Sequence, residues 1–212
     1  MKCWFLPNIS RKRKCNFAIS KYRTPMETIN KKELLQKLDD AVEQHISDAV
    51  ALFQNRNDEF LNKPSATGGW SIAQCLDHLN SYGHYYLPRM REQLGAAPPA
   101  NAEGFTSTWM GAYFTKMMDP ETGKRKYKAF KGHIPHSQLD SASVVREFIR
   151  QQEELLYLLR DGMGKDLDAI RIPVSILPFI RMKIGDVFQF IIAHNERHMQ
   201  QAKRNLVPER IF

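Results

Sequence analysis

IGDVFQFIIAHNERHMQQAKRNL, residues Ile184 to Leu206, carries apolar side chains at Val187, Phe188, Phe190, Ile191, Ile192, Met199 and Leu206. They form one broad face at the 3.6-residue period, with Asn195, Glu196, Lys203 and Arg204 left for the polar side. His194 and His198 are four residues apart, so one turn of helix stacks their imidazoles about 5 to 6 Å apart at Cβ, close enough to share one ion. Seven histidines in 212 residues supply roughly 0.2 such pairs by chance, so the spacing alone is weak and a pair of buried, hydrogen-bonded histidines is the plain alternative. A zinc-protease helix is excluded, because that motif needs Glu directly after the first His, where Asn195 stands. Glu196 points about 200° round the helix from His194. A third ligand must come from another helix.

A chain of 212 residues suits one medium domain with a core of its own. The 42% hydrophobic and 25% charged fractions are those of a soluble globular protein, and no run approaches the 18 or so apolar residues of a membrane span. Cys3, Cys15 and Cys75 are odd in number and lack CxxC spacing, which points away from disulfides and thiolate zinc sites and toward a reducing cytoplasm. The net charge of +8 is concentrated in residues 1–25, which hold seven Lys or Arg and no acid. The rest of the chain is nearly neutral, so the folded part offers no electrostatic footprint for nucleic acid. Residues 1–25 read as a disordered basic extension without a secretory pattern, and 26–212 as the folded domain.

Four helices are expected. The first spans about Glu27 to Asn55, with Leu34, Leu35, Leu38, Val42, His45, Ile46, Ala49 and Phe53 on its apolar face. His45 has no evident partner. After the NKPSATGG break comes Trp70, then Ser71-Ile72-Ala73-Gln74, a capping box that starts the second helix, which runs to about Leu94 with Pro88 expected to kink or weaken it. Cys75, His78 and Tyr82 fall on one stripe, which turns His78 inward as the natural third ligand; His84 lies about 240° away and is expected in solvent. Residues 95–140 form a long crossover, of the kind that parallel neighbouring helices require. Its aromatic part, Phe105 to Met118, suggests a short helix over one bundle end; Lys124 to His136 is basic, and His133 and His136 read as loop residues outside the site. Ser141 to Met163 is the third helix. Pro173 and Pro178 make Lys165 to Lys183 an extended connector into the fourth.

Gly69-Trp70-Ser71-Ile72, then Leu76-Asp77-His78-Leu79, and finally His194-Asn195-Glu196-Arg197-His198-Met199-Gln200-Gln201 resemble the DinB-like superfamily, four-helix-bundle proteins that include metal-dependent hydrolases and bacillithiol S-transferases. The resemblance spans about residues 27–207. It implies an all-α four-helix bundle and a histidine triad made of one His from the second helix and an H-x3-H pair from the last, which match His78, His194 and His198. It also makes a homodimer reasonable.

Three neutral imidazoles would leave the full charge on one divalent transition metal ion, zinc or nickel, with a position open for water or substrate. Two enzymes follow: an S-transferase presenting a low-molecular-weight thiol to a small electrophile, which the resemblance favours, or a hydrolase using activated water. A metal-binding stress protein without turnover is the reading from another class. Gln74, Tyr82 and Gln201 stand one turn from a proposed ligand and are candidates for a supporting shell around the ion or for substrate contact, with capping and packing the plainer roles. Cys75 reads as a buried small hydrophobe. No catalytic base emerges. The expected partner is a small-molecule substrate.

Overall fold

In the computed structural model the described residues are 27–66, 68–100, 103–122 and 128–206. The basic extension 1–25 and residues 124–127 of the basic loop lie outside them. Four long helices make the frame: α1 (Lys31–Leu52), α3 (Ile72–Ala96), α5 (Ser141–Gly162) and α6 (Ile184–Arg204), with short α2 (Asp58–Asn62) and α4 (Trp109–Met118) between them. Strands β1 (Thr28–Asn30) and β2 (Gly104–Thr106) pair antiparallel, as do β3 (Arg171–Val174) and β4 (Leu177–Lys183).

α1 and α3 each pack against both α5 and α6, so the four helices form a ring in which consecutive long helices are not always neighbours. Contacts from α3 to α5 climb in the same direction: Asn80 Nδ2 donates to the Val144 carbonyl, His84 pairs with Glu147, and Arg91 with Glu154. The two helices are therefore parallel neighbours, and the 44-residue-scale crossover between them is what that geometry demands. α6 runs the other way along α3, bringing Asn205 to the Trp70 carbonyl.

Helix starts follow side-chain chemistry. The Ser71–Gln74 capping box is complete, with both reciprocal hydrogen bonds at 3.1 Å. α1 begins later than the apolar repeat suggests, because the Asn30 side chain accepts from Glu33 N–H and the preceding residues pair with β2 instead. The expected weakness at Pro88 does not interrupt α3, which continues to Ala96 with Leu87, Met90 and Leu94 buried around it. The aromatic crossover divides into β2, with Phe105 fully buried, and α4, which is capped by Thr108.

Two insertions close one side of the bundle. α4 is seated on α6 through Asp186, whose Oδ2 accepts from Thr108 N–H (3.1 Å) and Oγ–H (2.7 Å). A side chain at Gly111 would collide with that carboxylate. The connector before α6 is the β3–β4 hairpin, which contacts α3, α4 and α6. The apolar interior falls into two clusters, one containing Leu35, Tyr82, Tyr86 and Phe188, the other Phe53, Leu76, Phe148 and Met199. His78 lies between Leu76 and Tyr82, and His194 between Ile192 and Met199, at the level where the clusters meet.

A Cβ at Gly185 would lie 2.5 Å from Phe105 Cε2. Gly185→Ala is expected to destabilise the fold by roughly 1–3 kcal/mol through overpacking, and Phe105→Leu to relieve most of that cost, as urea unfolding of the two single variants and the double variant will show. On α5, the hydrogen bond from Arg150, with those from Gln151 and His84, holds the Glu147 carboxyl at about 2 against an ordinary 4.5. Because the folded value is the lower one, the stabilisation is complete above about pH 4.5 and vanishes as pH falls through about 2. The gap between wild type and Glu147→Gln in urea midpoint should close over that window.

Candidate metal centre

His78 projects from the second turn of α3 and His194 and His198 from successive turns of α6, so antiparallel packing of the two helices brings the three rings to one level. Ring centroids are 5.0 Å apart for His78–His194, 4.7 Å for His78–His198 and 4.8 Å for His194–His198. One ring nitrogen from each lies within 4.8 Å of the others, and His78 Nε2 is 3.2 Å from His194 Nε2. Tetrahedral ligands about 2.0–2.1 Å from one ion stand about 3.3 Å apart, so that pair already has the right spacing. His78 and His194 are buried and His198 half-buried.

The hydrogen bonds fix which nitrogen faces inward. His78 Nδ1–H donates to the His133 carbonyl at 2.6 Å, and His198 Nδ1–H donates to Gln201 Oε1 at 3.0 Å. Each ring therefore turns an Nε2 lone pair toward its neighbours. A single N–H on His194 can serve only one of those lone pairs, whereas a divalent cation accepts all three, so the donor set fits an ion. His194 Nδ1 is buried without a partner among the described residues. Burial, the largest cause in each case, lowers the His78 pKa to about 4, that of His198 to about 3 and that of His194 well below the ordinary value. All three are neutral at pH 7, the form that ligates.

The crossover contributes more than expected. His133 is buried, not a free loop residue. Its carbonyl orients His78, its ring stacks on Tyr82 at 3.8 Å, and its Nδ1 is 2.8 Å from Ser81 Oγ. Since Ser81 Oγ–H donates to the His78 carbonyl at 2.6 Å, His133 Nδ1–H is the donor to Ser81 and Nε2 is the acceptor of that ring. Three residues on, His136 is anchored to Asp77 through its N–H (3.0 Å) and Nδ1 (3.2 Å). Tyr82 meets His194 and His78 edge-on at 4.5 and 5.2 Å. Trp70 also stacks against His198 at 5.6 Å and tilts over His78 at 4.8 Å, a contact that its place in the Gly69-Trp70-Ser71-Ile72 motif did not reveal. Of the three supporting candidates, Gln201 touches a triad ring through a hydrogen bond and Tyr82 through T-shaped ring contacts. Gln74 instead completes the helix cap and donates to the His136 carbonyl at 3.3 Å.

The remaining histidines fall elsewhere. His84 is exposed and paired with Glu147. His45 does have a partner: its Nε2 lies 2.9 Å from Glu196 Oε2, and this hydrogen bond is the largest cause of the Glu196 carboxyl falling to about 2. Glu196 thus faces α1, away from the triad, and is no base for it. Burial pushes the Cys75 thiol up to about 12, keeping it protonated beside Leu76 and Leu79, the packing role expected of it.

A family model described as the DinB superfamily matches residues 41–202. The chain belongs to the DinB superfamily. Among functionally curated proteins none matches it by sequence. Among solved structures, this DinB chain is similar to YfiT from Bacillus subtilis, described as a probable metal-dependent hydrolase with an unusual four-helix bundle topology. The two are 16% identical, the match covers 88% of this chain and 93% of YfiT, and the TM-score is 0.55. At that identity the likeness is one of fold. No helix among the described residues of this DinB protein is long and apolar enough to cross a membrane.

Gln201 and Gln74 separate support of the imidazoles from support of the helix. Gln201→Ala should weaken Zn²⁺ binding about 10- to 100-fold in a chelator competition titration. Gln74→Ala should cost about 1 kcal/mol in urea unfolding through the lost cap, with little change in Zn²⁺ affinity.

Proposed function

We propose that this protein is a metal-dependent enzyme in which His78, His194 and His198 hold one divalent transition metal ion, zinc or nickel, and that it transfers a low-molecular-weight thiol to small electrophiles. The observation that carries this reading is the convergence of three neutral imidazoles, two of them with Nδ1–H already committed, at the wall of a cavity of about 390 Å³. When bound, such an ion supplies positive charge that favours the ionised form of a nucleophile placed on it. The chain's own residues do the rest. The His133 carbonyl and Gln201 hold two rings in ligating orientation, while Trp70, Tyr82 and Phe190 line the cavity beside the imidazoles and limit water.

Thiol transfer is preferred to hydrolysis because of what the cavity lacks. Among the described residues lining it there is no carboxylate to take a proton from attacking water. A thiol, with an ordinary pKa near 8.5, ionises beside a cation without such help. In the reaction the S–H proton passes to solvent, sulfur bonds to the electrophilic carbon, and the leaving group departs with its electron pair. Hydrolysis is the second reading, favoured by the description of YfiT as a probable metal-dependent hydrolase.

Elemental analysis of untagged protein should find about one ion per chain, and His78→Ala or His194→Ala should abolish uptake without unfolding the bundle. A screen of low-molecular-weight thiols, bacillithiol included, against a model electrophile should show conjugation that chelators stop. Ion uptake without conjugation, but with ester or amide cleavage, would move the assignment to hydrolysis; uptake with neither would leave a binding protein.

A further inference from the structure

The cavity beside the triad has two chemically different ends. Most of its polar groups lie where the three imidazoles, Tyr82 and Trp70 meet, while the hairpin adds one hydroxyl, Ser175 Oγ, buried without a partner among the described residues. The opposite walls belong to α4 and the hairpin, and there the lining is Tyr113, Phe114, Met117, Ile176 and Leu177, with Phe130 at the exposed rim. Neither insertion belongs to the four-helix frame. Thioether and aromatic side chains together give a deformable, polarisable wall that suits flat or branched apolar groups.

Charge narrows the ligand further. Lys128 is the single cationic side chain among the described lining residues, apart from the histidines, and it is exposed. An exposed ammonium beside water adds little binding energy to a carboxylate or phosphate. An ionised group carried deeper, against Met117 and Leu177, would lose its hydration without gaining a buried opposite charge among the described lining residues. The volume, about 390 Å³, lies at the lower end of small-molecule sites.

We infer that the second substrate is a compact molecule with one polar reacting group and an uncharged aromatic or alkyl body, the reacting group lying at the imidazoles and the body against α4 and the β3–β4 hairpin. Selectivity then resides in the two insertions, while the bundle supplies the reactive end. This inference rests on the metal-site reading, and the test below separates the two.

The experiment titrates the Zn²⁺-loaded protein by calorimetry with acetohydroxamate and then butano-, hexano- and octanohydroxamate, chelators that share one head group and differ in their tails. Affinity should rise about fourfold per methylene until the cavity is filled. Octanedioic acid monohydroxamate, which ends in a carboxylate, should bind at least about tenfold more weakly than octanohydroxamate. In ion-free protein, n-butylbenzene should bind more tightly than toluene. Met117→Lys should lower the ratio of octano- to acetohydroxamate affinity. A flat response to tail length in both series, or equal or tighter binding of the carboxylated chain, overturns the inference even if acetohydroxamate binds. Absence of any hydroxamate binding, with the alkylbenzene trend intact, removes the metal-site reading and leaves the apolar chamber standing.

Discussion

The structure depends on keeping three imidazoles together, largely out of water and uncharged. Protonating any of them would place a cation against two neighbours in a poorly solvated site, and burial holds all three neutral instead. Their lone pairs then crowd one small volume, an arrangement that a divalent ion satisfies and ordinary core packing does not. Both apolar clusters of the bundle end at this level, so the polar site is a gap in the core maintained by the helices on either side.

Holding that gap open falls to parts of the chain far apart in sequence. The crossover returns the His133 carbonyl to His78, 55 residues away, and stays in place through Ser81, Tyr82 and Asp77. α6 is steadied from two other sides. His45 on α1 pairs with Glu196, and the buried Asn195 donates to Gln152 on α5 at 2.9 Å. The residues between His194 and His198 are therefore tied to neighbouring helices, which fixes the rotation of α6 and with it the direction of both rings.

The insertions decide what the site can receive. α4 and the hairpin cover the triad with apolar side chains, while the bundle alone would leave it facing solvent on that side. A frame set by helix packing thus carries a cavity wall set by the two insertions.

Much of the frame was written in local pattern. The 3.6-residue period marked α1, α3, α5 and α6, the Ser71–Gln74 pair marked one start, and the i,i+4 histidines with the inward stripe of Cys75, His78 and Tyr82 marked the candidate ligands. Those signals are legible because each lies within a few turns of one helix. β1 and β2 escaped, being three-residue strands whose paired residues stand 74 to 78 positions apart. The His45–Glu196 pair, the carbonyl of His133 and the ring of Trp70 at the triad could come only from tertiary structure, because a hydrogen bond or ring contact across 50 to 150 residues leaves no periodicity behind. Sequence determined which faces must be buried and which side chains can ligate; folding decided which of them meet.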